Sequence, residues 1–435
     1  MLTYPLPIAF LREELLQFIW AHRYYNQVTL YSVQGDPLQV IAPGKWNKDQ
    51  GPDFLNAQIL IGGILWVGNV EIHIYTSDWY RHRHHCDRRY DNVILHVVWS
   101  HDKQPPGNAA HLAILELQPL VANMLLQHYA MLMHNAGELA CSWQLPCLSP
   151  LAWLAFTERL AVERLCRKAD EVLLSLQAAG NHWEEVCWWQ LARSYGMKVN
   201  AGCFEQIARS LPVKLLIRHK HCIQQLEALL LGQANLLNDE FTDSYPQMLQ
   251  REYRFLQHKY RLPVLKQRPA FLRLRPAAFP SLRLAQMAML LHQKQHLFAF
   301  ITETEDLASV ITFFEATAND YWHYHYSFND NTSFQPKKLG KAATAGIIIN
   351  AVIPLLFAYG RYKQIPEIQQ RAIDWLSQIP PEQNTITRKW VKAGISVHNA
   401  TDTQALIELT GNYCNCRRCL NCAIGNKILR TSGAT

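Results

Sequence analysis

The sequence predicts a mixed α/β domain at the N-terminus, followed by a larger all-α region. Short apolar runs separated by turn residues fill about the first 120 residues, whereas apolar residues recur at helical spacing from Leu151 onward. A length of 435 residues also favours more than one domain. We therefore expect an α/β domain over residues 1–135, a helical domain over 145–410 and a cysteine-rich tail over 411–435.

The N-terminal domain is predicted from the order of its segments. They are a helix over 8–26, strands over 28–33 and 38–41, a polar loop over 43–51, strands over 53–60 and 64–74, a helix over 77–90, and strands over 93–99 and 111–117. Gly62-Gly63 forms a hairpin turn between two strands, and Ser77-Asp78 has the composition of a helix N-terminus. The sequence thus predicts a mixed sheet flanked by helices.

The composition excludes several classes of protein. With 49% hydrophobic and 18% charged residues, the chain can bury a large core and is neither disordered, fibrous nor a charge-rich coiled coil. No run reaches the roughly 18 apolar residues that span a membrane, and the first residues lack the pattern of a secretory signal. We expect a cytoplasmic protein with no membrane partner.

The positive charge is concentrated in one stretch of the helical region. The net charge is +7, and nine of the basic residues lie between Arg251 and Arg283, where the only acid is Glu252. Basic and aromatic residues in alternation suit a phosphate backbone with stacked bases, although a solvated helix face has the same composition. We predict that Arg273, Arg275 and Arg283 contact phosphates.

Two carboxylates are placed to share one cation. Asp53 begins a predicted strand, and Glu71 lies on the next strand, with 17 residues and the hairpin between them. Paired strands lie about 5 Å apart, so the two side chains can converge. Residues i and i+2 of a strand share a face, which puts His73 beside Glu71. Carboxylate oxygens are the ligands of Mg²⁺ or Mn²⁺, and a neighbouring base can take a proton from an activated water.

Pro52-Asp53 and Glu71-Ile72-His73, in this order of elements, resemble the PD-(D/E)XK nuclease superfamily. The resemblance implies a restriction-endonuclease-like fold and Mg²⁺-dependent hydrolysis of phosphodiester bonds, with Asp53 and Glu71 as the metal ligands. His73 stands where the superfamily has Lys, and an imidazole is not a permanent cation. The resemblance also implies an acid on the first helix, for which Glu14 is the candidate, and phosphate contacts from His85 or Tyr90.

At the scale of the whole chain, the sequence is identified as a member of a bacterial family with a domain of unknown function. The segments that carry this resemblance are Gly-Pro-Asp-Phe, Gly68–His73, Ser77-Asp78-Trp79, Val93–Val98, Arg273–Pro276 and Cys419–Cys422. This resemblance implies no activity.

The segment after the predicted strand 64–74 is rich in histidine. His82, His84 and His85 are followed by Cys86 and Asp87. On a helix, His82 would share a face with His85 or Cys86, which suggests a zinc site without an evident fourth ligand. A solvated helix face is the alternative, and His96 is expected to be a core histidine.

Four cysteines within nine residues form the strongest local metal signal: Cys414, Cys416, Cys419 and Cys422. Cys419-x-x-Cys422 has the spacing of a zinc or iron–sulfur ligand pair. One alternative replaces Cys416 by the distant Cys147, which resembles the nucleases of the same superfamily that hold a [4Fe–4S] cluster by one upstream and three C-terminal cysteines. In those nucleases the upstream cysteine precedes the nuclease core, whereas Cys147 follows it. An ordinary reduced tail is the remaining alternative.

Taken together, these features predict a metal-dependent nuclease or nuclease-like protein acting on nucleic acid, DNA in particular. Two other classes stay open. One is a non-catalytic nucleic-acid-binding protein with a degenerate nuclease fold, and the other is a metal-stabilised interaction scaffold. Mg²⁺-dependent cleavage distinguishes the nuclease from the first alternative, and salt-sensitive DNA binding distinguishes both from the second.

Overall fold

The computed structural model describes residues 11–104, 112–134, 139–328 and 330–433. The chain divides into two compact units. One consists of Met1–Trp153 with Lys389–Ile395 and Leu409–Thr435, and the other of Leu154–Arg388 with Ser396–Glu408.

The first unit contains a mixed seven-stranded sheet. Its strands are β1 (Leu30–Tyr31), β2 (Pro37–Ala42), β3 (Lys45–Trp46), β4 (Phe54–Ile61), β5 (Ile64–Tyr75), β6 (Val93–Ser100) and β7 (Ala113–Glu116). The spatial order is β1-β2-β4-β5-β6-β7, with β3 paired to β4. Pairs up to β4–β5 are antiparallel, whereas β5–β6 and β6–β7 are parallel. The predicted mixed sheet is therefore confirmed.

Helix α1 (Glu13–His22) covers the sheet because one of its faces is apolar. Leu15, Leu16 and Ile19 are fully buried, and the helix packs against β5. The predicted helix over 8–26 is longer at both ends than the described one, and residues 8–10 lie outside the described ranges. Arg23 ends the helix in a left-handed conformation.

The connection from β5 to β6 is not the continuous helix that the sequence predicts. It consists of α2 (Asp78–Arg81) and two short 3₁₀ turns, His84–Cys86 and Arg88–Tyr90. Arg83 adopts a φ of 62°, a left-handed conformation that interrupts the helix. At Gly68, a Cβ atom would lie 2.7 Å from the carbonyl oxygen of Asn92, so only glycine lets this connection return so close to β5.

Other boundaries also differ from the prediction. Strand β3 falls within the predicted polar loop, and β1 is limited to two residues. Strand β7 starts at Ala113, and position 111 of the predicted strand lies outside the described ranges. In the same unit, helix α3 (Asn123–His134) packs against a helix near the end of the chain, Ala423–Gly433.

The second unit is helical, as predicted. Its helices are Pro150–Ala178, Trp183–Tyr195, Met197–Ser210, Val213–His219, Ile223–Gln233, Ser244–Tyr260, Pro280–Gln293, Leu297–Glu303, Leu307–Phe314, Lys341–Ile347, Ile353–Lys363, Pro366–Gln378, Thr385–Lys392 and Ala400–Glu408. The helix Pro150–Ala178 begins in the first unit, and the helix Thr385–Lys392 ends in it. Together with the π-helical turn Ile348–Val352, Lys341–Lys363 is long and apolar enough to cross a membrane, but 67% of its apolar window is buried. Such burial is typical of a helix in a protein core.

Candidate functional site

Asp53 and Glu71 are held side by side by the pairing of β4 with β5. The backbone N–H of Asp53 donates to Glu71 Oε2 at 3.1 Å, and the N–H of Ile72 donates to Asp53 Oδ2 at 3.0 Å. Gln17 of α1 donates to the other Asp53 oxygen at 2.8 Å. Each carboxylate thus receives a hydrogen bond from the backbone beside the other, and both point into the space between the sheet and α1.

Glu71 is buried and Asp53 is half-buried, and neither has a compensating cation among the described residues. Among the described residues, no Lys or Arg forms an ion pair with Asp53 or Glu71. Burial, together with repulsion between the two groups and from Glu13, raises the pKa of both carboxyls well above the usual range. A divalent cation would reverse this shift, because it favours the ionised form.

Three histidines complete the cluster. The Nε2 atoms of His73 and His84 lie 3.6 and 3.3 Å from Glu71 Oε1. His82 contributes its Nδ1 atom, 3.1 Å from His73 Nε2. Ligand atoms of all three histidines lie within 4.8 Å of one another. The three nitrogens therefore form a group that could hold a metal ion, and Glu71 Oε1 lies close to two of them.

A fourth histidine fixes the orientation of His73. His96 lies beside Glu71 in the register of β5 and β6, and its Nε2 atom is 2.9 Å from His73 Nδ1. Burial, and then the neighbouring histidines, lowers the pKa of His73 to about 2 and that of His96 to about 3, so both rings are neutral. When His73 donates through Nδ1, its Nε2 atom directs a lone pair toward Glu71 and His82.

The structure places the other predicted site residues at different distances from this cluster. Glu14 is exposed, and Glu13 is the acid of α1 whose charge acts on both Asp53 and Glu71. Tyr90 stacks on His84 with 3.9 Å between ring centroids. His85 is exposed, and its ring contacts that of Tyr80 in a tilted arrangement with 4.6 Å between centroids, outside the group formed by His73, His82 and His84.

Sequence reasoning missed that His82 and His84 join His73. A helical periodicity pairs His82 with His85 or Cys86, but the left-handed Arg83 breaks that periodicity and turns His82 and His84 to the same side. A signal was present in the sequence, since three histidines within four positions follow a strand that itself carries Glu71 and His73.

The C-terminal cysteines are distributed unequally. Cys414, Cys419 and Cys422 line one cavity, where Cys141 joins them. Cys416 is exposed, with its sulfur 3.7 Å from the carbonyl oxygen of Gly411. Cys147 is half-buried and is not among the residues that line the cavity.

The basic stretch is partly accessible and partly buried. Arg273 and Arg275 are exposed in an irregular segment that the prolines of this region break up, as predicted. Arg283, the third residue predicted to contact phosphates, has a side chain that is only 7% exposed and donates to Gln286 within the helix Pro280–Gln293. Nearly every face of that helix is buried, so a charge near its start is no sign of accessibility.

A family model described as "Protein of unknown function (DUF2851)" matches residues 13–385. Neither a curated protein nor a solved structure matches the chain.

Proposed function

The chain belongs to the family described as a protein of unknown function (DUF2851), and we propose that it hydrolyses phosphodiester bonds of nucleic acid with a bound divalent metal. The observation that carries the proposal is that buried Glu71, bonded to the backbone N–H of Asp53, lies within 3.6 Å of two of three clustered histidines, while no Lys or Arg among the described residues pairs with either acid. Such a group of unpaired acids is stable in its ionised form only with a cation.

The donor set is compatible with a divalent transition metal. Glu71, His73, His82 and His84 offer one oxygen and three imidazole nitrogens, and Asp53 offers a further oxygen. His84 Nε2 is buried and makes no hydrogen bond with the described residues, so it has a lone pair or a proton to satisfy. Imidazole favours transition metals over Mg²⁺. Of the two ions that the sequence predicts, Mn²⁺ is therefore the better match, with Zn²⁺ as its competitor.

Each residue of the cluster has a role in the proposed reaction. The metal would supply Lewis-acid activation of the phosphodiester. Asp53, Glu71 and the three histidines would hold it, and His96 would keep His73 in the ligating orientation. Burial raises the pKa of Glu13, which lies half-buried beside the carboxylates, so Glu13 is the candidate for proton exchange in the reaction.

The arrangement of elements supports a PD-(D/E)XK-like core in this proposal. Helix α1, the three antiparallel strands β2, β4 and β5 that are neighbours in the sheet, a short helical connection and the parallel strand β6 follow the order that the superfamily resemblance implies. Exposed Arg83 and Arg88 on the connection offer positive charge to a phosphate backbone.

The proposal is tested by cleavage assays on the full chain. Metal-free protein is mixed with labelled single- and double-stranded DNA and RNA, and Mg²⁺, Mn²⁺ or Zn²⁺ is added. We expect cleavage with Mn²⁺, less with Mg²⁺ and none with a chelator. Binding of Mn²⁺ or Zn²⁺ by the His73 cluster without cleavage of any substrate would contradict the proposed reaction and favour a structural metal.

The exposed arginines of the basic stretch give a separate prediction. Changing both Arg273 and Arg275 to Gln should weaken DNA binding and flatten the log–log salt dependence by about one unit for each lost phosphate contact. The measurement is the dissociation constant at several salt concentrations. Arg283→Gln is the matched control, which should leave the salt slope unchanged because Arg283 is buried. An unaltered slope in the double variant would exclude these phosphate contacts.

A further inference from the structure

Four cysteines of the first unit surround a cavity of about 370 Å³. Cys141 comes from the segment after α3, whereas Cys414, Cys419 and Cys422 come from the C-terminal segment. The side chains are buried or half-buried, and none forms a disulfide. More than 270 residues separate Cys141 from the other three. The fold, rather than local spacing, therefore assembles the group.

The surroundings of the cavity favour an anionic occupant. Burial raises the pKa of the Cys422 thiol to about 11, and the backbone N–H groups of Ile424 and Gly425, at the start of the helix Ala423–Gly433, oppose this rise by donating hydrogen bonds to its sulfur. Arg417 and Arg418 also line the cavity, and no acidic side chain is among its described lining residues. Amide donors and guanidinium groups stabilise thiolates, and four thiolates around an iron or zinc centre carry net negative charge.

The spacing of the sulfurs discriminates between a single ion and a cluster. Tetrahedral zinc with bonds of 2.3 Å requires sulfurs only about 3.8 Å apart. Among the described residues, the ligand atoms of His73, His82 and His84 lie within 4.8 Å of one another. The described cysteine sulfurs form no group of three or more that is this close. An iron–sulfur cluster places four iron atoms between its cysteines, and it therefore needs both wider spacing and a cavity.

We propose that Cys141, Cys414, Cys419 and Cys422 hold a [4Fe–4S] cluster in this cavity. The cluster joins the segment after α3 to the C-terminal segment within one unit. Arg417 already makes a contact of this kind, donating to the carbonyl oxygen of Leu132 in α3 at 3.2 Å. The inference is independent of the proposed hydrolytic reaction, because it involves none of the residues around Asp53.

The test uses the full chain purified without oxygen or reconstituted with iron and sulfide. We expect about four irons and four sulfides per chain, absorption near 400 nm and an electron paramagnetic resonance signal after reduction. Single Cys→Ser changes at positions 141, 414, 419 and 422 should each remove most of this absorption. Cys416→Ser and Cys147→Ser are the matched controls and should retain it, because Cys416 is exposed and Cys147 lies outside the cavity lining.

Two further measurements distinguish loss of the cluster from failure of a variant to fold. Circular dichroism establishes whether each variant keeps its helices, and limited proteolysis reports whether the C-terminal segment is loosened. A folded Cys141→Ser variant with full iron content would overturn the assignment of Cys141. One zinc per chain held by the same cysteines, with no iron bound after reconstitution, would overturn the cluster itself.

Discussion

Replacing either carboxyl of the pair, as in Asp53→Asn or Glu71→Gln, should reduce metal-dependent cleavage by about 10³-fold or more, equivalent to ~4 kcal/mol in the activation free energy. The amide keeps the shape of each side chain but loses the charge that holds the cation. The measurement is the cleavage rate at saturating Mn²⁺, together with Mn²⁺ affinity. Both should fall, while the DNA dissociation constant measured without metal should remain close to that of the unmodified chain.

The matched control for this pair is Asp49→Asn, an exposed acid on the loop that precedes Asp53. It removes the same charge without touching the cluster, so its cleavage rate should be unchanged. Cleavage retained in Glu71→Gln would place the reaction elsewhere in the chain. If Glu71→Gln lost cleavage but bound Mn²⁺ with undiminished affinity, Glu71 would act in the reaction without being a metal ligand.

The metal-free protein should lose stability locally as the pH rises. Because the folded state raises the pKa of Asp53 and Glu71, it binds protons more tightly than the unfolded state does. Their contribution is fully present below the unfolded carboxyl pKa of about 4 and is lost as the pH rises through the higher folded values. Each unit of pKa difference corresponds to about 1.4 kcal/mol, so a loss of at least ~2 kcal/mol is expected between pH 5 and 8.

Hydrogen exchange is the appropriate measurement, since the chain has two units and global unfolding need not be two-state. Peptides covering β4 and β5 include the amides of Asp53 and Ile72, which bond to the two carboxylates. The free energy of opening, corrected for the intrinsic pH dependence of exchange, should decline with pH. Mn²⁺ should abolish the decline, and so should the double variant Asp53→Asn/Glu71→Gln. If the opening free energy still declined with pH in the double variant, another titrating group would be the cause of the decline.

Much of the carboxylate site could be predicted from the sequence because strand geometry is strictly periodic. The Gly62-Gly63 turn fixes the pairing of β4 with β5, and the alternation of side chains fixes His73 beside Glu71. Glu13 and Glu14 are adjacent on a helix whose exact phase depends on packing. Only the buried face of α1 decides that Glu13 is the one near the cluster.

The remaining features depend on conformations or contacts that a sequence pattern does not encode. The left-handed Arg83 redirects two histidines, and a non-glycine residue in that conformation is uncommon. Cys141 meets the C-terminal cysteines only through the packing of the last helix on α3. Arg283 looks like its basic neighbours along the chain, yet the helix that carries it is enclosed by the core.

The return of the chain to its first unit affects the order in which the protein can fold during synthesis. Helix α3 ends at His134, and its partner Ala423–Gly433 begins roughly 290 residues later. At about 5–20 residues per second, a ribosome needs roughly 15–60 s to make that interval. The sheet can form early, but the apolar face of α3 has no partner helix to pack against until the helical unit and the C-terminal helix Ala423–Gly433 have been synthesised. Nascent chains should therefore depend on chaperones mainly during this interval, and translation rate should influence yield.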